Sequence, residues 1–285
     1  MQSSGILLIN KPIGLTSFDV IRRLRKITKI RKIGHTGTLD PFAEGLLPVC
    51  VGKATRVAGK ISNNNKQYLV KMKLGEKTDS GDNTGQLIEK AQVPRLEFSQ
   101  IKNIVPEILK INKQIPPIHS AKKINGKRAY EYARKNQRID LKPKDIEILD
   151  FTFINYDTPF LIYRATVSKG TYIRVLSETI AEILGTIGFT DQLQRTKVGK
   201  LLIEDSVDLN KLSEDNWKQS LFDISKILKD FPKISLNSLD YFTNGRKISV
   251  EHEDISDIMV MYNNRCVGFA KIKNNTLYPK KVMIE

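Results

Sequence analysis

In the stretch TSFDVIRRLRKITK, residues 16 to 29, apolar positions fall at Val20, Ile21, Leu24 and Ile27. A return every third or fourth residue predicts a helix with one buried stripe. Thr16 is placed to cap that helix, and Asp19 three residues on completes a capping box. Arg22, Arg23, Arg25, Lys26 and Lys29 cover the other side, and the basic run continues through Arg31 and Lys32 to Gly34. From residue 66 the period changes. In KQYLVKMKL, Tyr68, Val70, Met72 and Leu74 alternate with Leu69, Lys71 and Lys73, which predicts a strand with Tyr68 on its inner face. The stretch from Gly75 to Gly85 is rich in Gly, Asp, Asn and Thr and reads as turn or loop.

Further along, PRLEFSQIKNIVPEILKIN predicts a helix interrupted or ended near Pro106. QIPPIHS is stiffened by its two prolines and reads as extended and laid on the surface. A turn at Asn125-Gly126 and a basic helix from about Lys127 follow. FLIYRATVSKGTYIRVLSETIAEIL, from 160, gives a strand, a turn at Ser168–Gly170, and a helix with Leu176, Ile180 and Leu184 on one side. Gly185 is placed to end it. Tyr172 and Arg174 lie at that strand-to-helix junction and project to the same side if the piece is extended. TDQLQRTKVGKL reads as a basic loop carrying Arg195, Lys197 and Lys200. After a helix in SLFDISKILKDF, ending before Pro232, come short β-like pieces with turns at Asn244-Gly245 and Asn263-Asn264. The pattern divides the chain into 1–231 and a small β unit, 232–285.

Composition narrows the function. The 285 residues hold 47 Lys and Arg against 31 Asp and Glu, a net charge of +16. An excess of that size suits a polyanionic partner, and nucleic acid is the commonest one in a cytoplasm. No run approaches the ~20 apolar residues of a membrane span. The start MQSSGILLINKP has no basic segment and only a short apolar run, which argues against a secretory signal. Two distant cysteines, Cys50 and Cys266, support neither a disulfide framework nor a thiolate metal site, and a reducing cytoplasm fits them. The three histidines, His35, His119 and His252, lack ligand spacing. Nucleotide-binding glycine loops and a serine nucleophile elbow are missing from the sequence. What remains is GHTGTLDPFAEGLLPVCVGKATR, residues 34 to 56, where Asp40 stands between a Gly/Thr-rich turn and Pro41.

That block, with NKPIGLTSFDV before it and KQYLVKMKLGEKTDSGD, QIPPIHSAKKINGKRAYEYAR and SKGTYIR after it, resembles the bacterial tRNA pseudouridine-55 synthases, the TruB family. The likeness runs from about Lys11 to Lys200 in the expected order. Residues 232–285, with NGRKI and LYPKKVM, are more weakly similar to the family's PUA-like tail. The resemblance implies an α+β fold: a mixed, mostly antiparallel central sheet flanked by helices, plus a small C-terminal PUA-like β domain. It implies isomerisation of uridine to pseudouridine in the T-loop of tRNA without cofactor or metal, by a chain that needs no protein partner and works as a monomer. By the same resemblance Asp40 is the nucleophile, Tyr68 the tyrosine that packs on the base and a candidate to remove the C5 proton, and Arg174 the partner of the aspartate. Tyr172 lines the pocket, His35 helps hold the extruded loop, and Lys11, Leu193 and Arg195 belong to the substrate contacts. Arg56 stands where the family often has lysine, and Gln194 where arginine is common.

Physical chemistry fits these roles. A base must leave its stack before an enzyme reaches its glycosidic bond, at a cost of a few kcal/mol that aromatic stacking offsets. Asp40 must be ionised to attack, at C1′ or at the base, and an Arg within ~4–6 Å lowers a carboxylate pKa by ~1–3 units. Pro41 disfavours helical geometry at Asp40 and keeps it on a turn. Two other readings share these residues: an RNA-binding or RNA-folding protein with a secondary isomerase site, and the catalytic subunit of a guide-RNA complex. All three need the basic surface. Affinity for tRNA should therefore fall steeply as salt rises from ~50 to ~200 mM, because phosphate contacts release counterions. A salt-insensitive Kd in a filter-binding titration would contradict this.

Overall fold

A computed structural model describes residues 4–118, 123–124, 127–128 and 141–284. The first strand, β1 (Gly5–Lys11), is apolar on consecutive residues and buried on both faces. Leu7 and Ile9 point into one core while Ile6 and Leu8 point into another. β3 (Glu44–Val51) behaves alike, with Leu47 and Val49 on one side and Leu46 and Cys50 on the other. Continuous apolar runs of this kind mark strands covered on both faces. Between them lie α1 (Ser17–Thr28) and the short β2 (Ile33–His35). α1 carries the predicted capping box of Thr16 and Asp19 and buries Val20, Ile21 and Leu24.

β4 (Lys66–Leu74) keeps the predicted alternation, with Tyr68, Val70, Met72 and Leu74 buried. β5 (Ile148–Asp157), β6 (Phe160–Val167), α2 (Ile173–Ile183), β7 (Gly188–Val198) and β8 (Val207–Asp208) complete the main unit. The principal sheet runs β5-β6-β4-β7-β3-β1-β8. Neighbours are antiparallel except β7 beside β3 and β1 beside β8, which are parallel. The register sets one row across five strands: Ala165, Tyr68, Arg195, Gly45 and Lys11 are successive partners. Residues far apart in sequence thus arrive side by side.

A second, five-stranded sheet is built from β9 (Lys233–Ser235), β10 (Ile248–Ser249), β11 (Ile255–Tyr262), β12 (Arg265–Lys273) and β13 (Thr276–Val282), in the order β9-β11-β12-β13-β10. Its hairpins turn at Asn263–Asn264 and Asn274–Asn275, all four with positive φ, the conformation in which Asn is the most tolerated non-glycine residue. Met259, Met261, Phe269 and Met283 of this unit share a core with Ile6, Leu8, Leu46 and Cys50 of β1 and β3.

Several sequence expectations are corrected. TDQLQRTKVGKL is no loop, since residues 188–198 form β7 in the middle of the sheet. SLFDISKILKDF is helical only over Ile224–Ile227, because Leu221 and Phe222 pair with Leu7 and Ile6 of β1. FTNGRKI begins as the end of a helix, Asp240–Thr243, with Gly245 at φ 70° after it. The interruption expected near Pro106 is present: the helix is two short ones, Phe98–Asn103 and Val105–Ile108, with the proline in the first turn of the second, where its missing N–H costs least. QIPP is not wholly on the surface, since Gln114 and Pro116 are buried. Lys127–Arg128 pair as a strand with Lys123–Ile124. The rest of the expected basic helix, the Asn125-Gly126 turn and His119 lie outside the described residues.

Gly45 is the tightest point of the five-strand row. Its φ is +104°, and a Cβ there would sit 2.5 Å from the carbonyl oxygen and 2.8 Å from the nitrogen of Arg195. Gly45→Ala should separate β3 from β7 and cost roughly 1–3 kcal/mol. The expected result is a lower Tm by calorimetry together with lost activity, and an unchanged melt would show that the β3–β7 contact yields without cost.

Candidate active site

β2 pairs with β3 up to His35 opposite Val49, and the chain between them leaves the sheet as a loop ending in Asp40, Pro41 and Phe42. The loop is pinned from several directions. Thr36 N donates to Pro48 O at 3.0 Å. Ser17, the first residue of α1, accepts from Leu39 N at 2.9 Å and donates to Leu39 O at 3.1 Å. Gly14 N donates to Pro41 O at 2.8 Å, and Ala43 N to Asp40 O at 3.2 Å.

The deepest support is Arg195. It is 1% exposed, and its guanidinium donates to Leu46 O at 2.7 Å, Gly37 O at 3.1 Å and Thr38 O at 3.3 Å. Arg195 was expected among the RNA contacts. Its burial and these bonds make it the internal brace of the Asp40 loop instead, and a cation so buried is stable only with its donors satisfied. Lys11 is corrected likewise. It is fully buried, and its ammonium donates to Pro12 O at 2.9 Å and Leu15 O at 2.7 Å, fixing the turn into α1. Burial lowers the Lys11 pKa to about 8, against the opposing pull of Asp40 and with a further push from Arg195. Lys66 is a similar case, bonded to Ser62 O and Asn64 O at 2.6 Å and lowered to about 8, first by burial and then by Arg195.

Arg174 enters from the first turn of α2, at the expected strand-to-helix junction, and only Tyr172 before it is extended. Its Nε lies 3.1 Å from Asp40 Oδ2, its Nη1 3.6 Å from Asp82 Oδ2, and Nη1 also donates to Ser80 O at 2.8 Å. The Arg174 side chain is 5% exposed, while that of Asp40 keeps 36%. Asp82 is buried, and its Oδ1 accepts from Ser80 Oγ at 2.8 Å, Thr84 N at 3.0 Å and Thr84 Oγ1 at 2.5 Å. Burial raises the Asp40 pKa. Arg174 opposes that rise, and Asp82, a second negative charge, adds to it. Arg174 does pull in the expected direction, but desolvation outweighs the guanidinium.

Tyr68 is buried beside Arg195 in the five-strand row, and Leu193, two residues before Arg195, is buried opposite Val70. His35 and Tyr172 are half-buried, the one on β2 and the other immediately before α2. The structure thus joins Asp40 to Arg174 directly and sets Tyr68 next to the arginine that braces the Asp40 loop. It also reveals Asp82, Ser80 and Ser17, which sequence reasoning passed over. The one available signal was a second acid within DSGDNTG, a segment that looked like solvent-exposed turn. Chemically, the site offers a carboxylate held at one oxygen by a guanidinium and still partly open to solvent. Among the described residues no group of three or more His, Cys, Asp or Glu could hold a metal ion, and no helix is long and apolar enough to cross a membrane.

Known proteins share this arrangement of sequence and fold. Residues 25–173 match the model of the TruB family pseudouridylate synthase N-terminal domain. The tRNA pseudouridine synthase B of Caldanaerobacter subterraneus subsp. tengcongensis is 35% identical over 99% of this chain and 100% of its own. That of Clostridium kluyveri is 40% identical over 81% of this chain and 79% of its own. Among solved structures, one from an H/ACA RNP bound to a substrate RNA containing 2′-deoxyuridine superposes with a TM-score of 0.71 at 21% identity, covering 99% of this chain and 85% of that one. One from a Cbf5-Nop10-Gar1 complex gives 0.71 at 22% identity, covering 98% and 85%. At that identity the two structures speak for the fold, and the sequence matches speak for the family: the chain belongs to the TruB family of pseudouridylate synthases.

Proposed function

We propose that this chain isomerises uridine-55 in the T-loop of tRNA with Asp40 as nucleophile. Family membership makes it a tRNA pseudouridine synthase, an enzyme that converts uridine to pseudouridine. The observation that carries the residue assignment is the 3.1 Å contact of Arg174 Nε with Asp40 Oδ2, on a carboxylate whose side chain stays 36% exposed. One oxygen is steered while the group remains reachable by a flipped nucleoside.

In this reading the target base leaves the loop and packs on Tyr68. Asp40 attacks the nucleoside at C1′ or C6, and the C1′–N1 bond breaks. The uracil turns, C5 bonds to C1′, and the bond to Asp40 breaks, which returns the free carboxylate. A proton leaves C5, for which Tyr68 is the candidate acceptor, and N1 gains one. Composition is unchanged, so no oxidant, reductant or cofactor is consumed. Arg174, itself anchored by Asp82 and Ser80 O, keeps the attacking carboxylate aimed. His35 and Tyr172 border the extruded nucleotide. Residues 1–231 form the catalytic unit and 232–285 a PUA-like RNA-binding unit, in a cytoplasmic monomer that needs no protein partner.

Two measurements test this. Asp40→Asn, assayed as pure chain on an unmodified T-arm stem-loop with no guide RNA, should give no pseudouridine while Kd stays within a few-fold. Product from that variant would end the nucleophile assignment, and an inactive wild-type chain that gains activity with a guide would favour the guide-RNA reading. The second is a pH profile. Attack needs the charged carboxylate, and burial and Asp82 raise its pKa above the ordinary 3.8. Activity should therefore be lost on acidification from a higher pH than an ordinary aspartate requires. Asp82→Asn should shift that midpoint downward, since it removes one of the effects that raise it, and an upward shift would contradict the electrostatic account.

A further inference from the structure

Tyr172 precedes α2 in an extended conformation, φ −98° and ψ 114°, and its side chain makes no capping bond to the helix. Its backbone is nonetheless held at both ends by one side chain. Tyr172 N donates to Gln114 Oε1 at 2.7 Å, and Gln114 Nε2 donates to Tyr172 O at 3.0 Å. Tyr172 O also accepts the first helical bond, from Leu176 N at 3.1 Å. The pattern fixes the amide orientation, because only the oxygen can receive the N–H and only the nitrogen can donate to the carbonyl. Gln114 therefore acts as a one-residue strand partner for Tyr172, two residues before Arg174.

Gln114 is itself fixed. It is buried, and it stands opposite Lys144 in a short antiparallel pairing of residues 113–114 with 144–145. That ladder continues through Ile146 N to Asn112 O at 3.0 Å, and the next residue, Glu147, bonds Ser168 in both directions at 2.8 Å. The turn from Ser168 to Tyr172 is thus clamped at its start by Glu147 and at its end by Gln114. Nothing in the isomerisation chemistry calls on Gln114 itself. It lies at the root of Arg174, whose guanidinium must meet Asp40 and Asp82 together.

We propose that Gln114 is a positioning residue for the isomerisation: its amide locks the backbone of Tyr172 and so sets the first turn of α2, from which Arg174 reaches Asp40. The inference rests on the reading that Asp40 and Arg174 carry the reaction. A displacement of about 1 Å in such a pair can cost on the order of 100-fold in rate.

The test compares Gln114→Leu, similar in bulk but with neither bond, and Gln114→Glu, which keeps only an acceptor for Tyr172 N. Each is examined with tRNA in single-turnover kinetics, by filter binding and across pH, beside Asp40→Asn. The expected result is a rate lowered about 10- to 100-fold with Kd changed less than about 3-fold. The acid limb should also move to higher pH, because a loosened Arg174 opposes the raised Asp40 pKa less. A purely structural role would lower Tm and leave that limb in place. If Gln114→Leu does not fold, Gln114→Glu carries the comparison alone. Wild-type rates, a loss confined to Kd, or a slower rate with an unmoved limb would each overturn the proposal. An active Asp40→Asn would instead overturn the reading beneath it, whatever the Gln114 variants do.

Discussion

A guanidinium with no access to water is the constraint around which the site is organised. Arg195 occupies the middle of the five-strand row, and its charge must be met by the carbonyls of Gly37, Thr38 and Leu46. Leaving such a cation unmatched costs several kcal/mol, so the loop has little freedom to be elsewhere. Gly45 meets a second, steric demand of the same residue, since the backbone of Arg195 leaves no room for a Cβ at that position. What looks like a short loop carrying an acid is in effect the lid of a filled polar compartment.

That compartment is strongly cationic. Lys11, Lys66, Arg174 and Arg195 are all buried; Asp40 and Asp82 answer Arg174, and Asp40, Glu44 and Asp19 pull on Lys11. Burial lowers the two lysines to about 8, and each ammonium donates to two backbone carbonyls. The net charge of +16 is therefore more than a coating for RNA. Part of it lies beneath the loop, where it favours an anion above. Asp40 stands at the meeting of two opposed tendencies: desolvation and Asp82 resist its charge, and Arg174 supports it.

Much of this was readable in the chain. The helix at 17–28 with its capping box, the alternation from Tyr68 to Leu74, and the isolated acid before Pro41 are local signals, and each survived folding intact. The failures have three separate causes. β7 carries register shifts between Thr190 and Gln192 and between Arg195 and Lys197. Each bulge breaks the two-residue period, so a central strand passed for a polar loop and its buried arginine for a surface one. Asp82 was hidden differently, in a segment whose composition is that of an exposed turn but whose carboxylate faces inward through bonds to Ser80 and Thr84. At Leu221–Phe222, helical spacing yielded to pairing with β1, a long-range contact that local pattern does not encode.

The core shared by β1, β3 and the C-terminal sheet has a mechanical consequence. Methionines 259, 261 and 283 and Phe269 are wedged against the underside of the same strands that carry the Asp40 loop on their other flank. Swinging the small sheet away would open that apolar seam to water, a cost that opposes separating the two units. An RNA long enough to touch both would have to bridge a span that this packing sets, as between the jaws of a caliper.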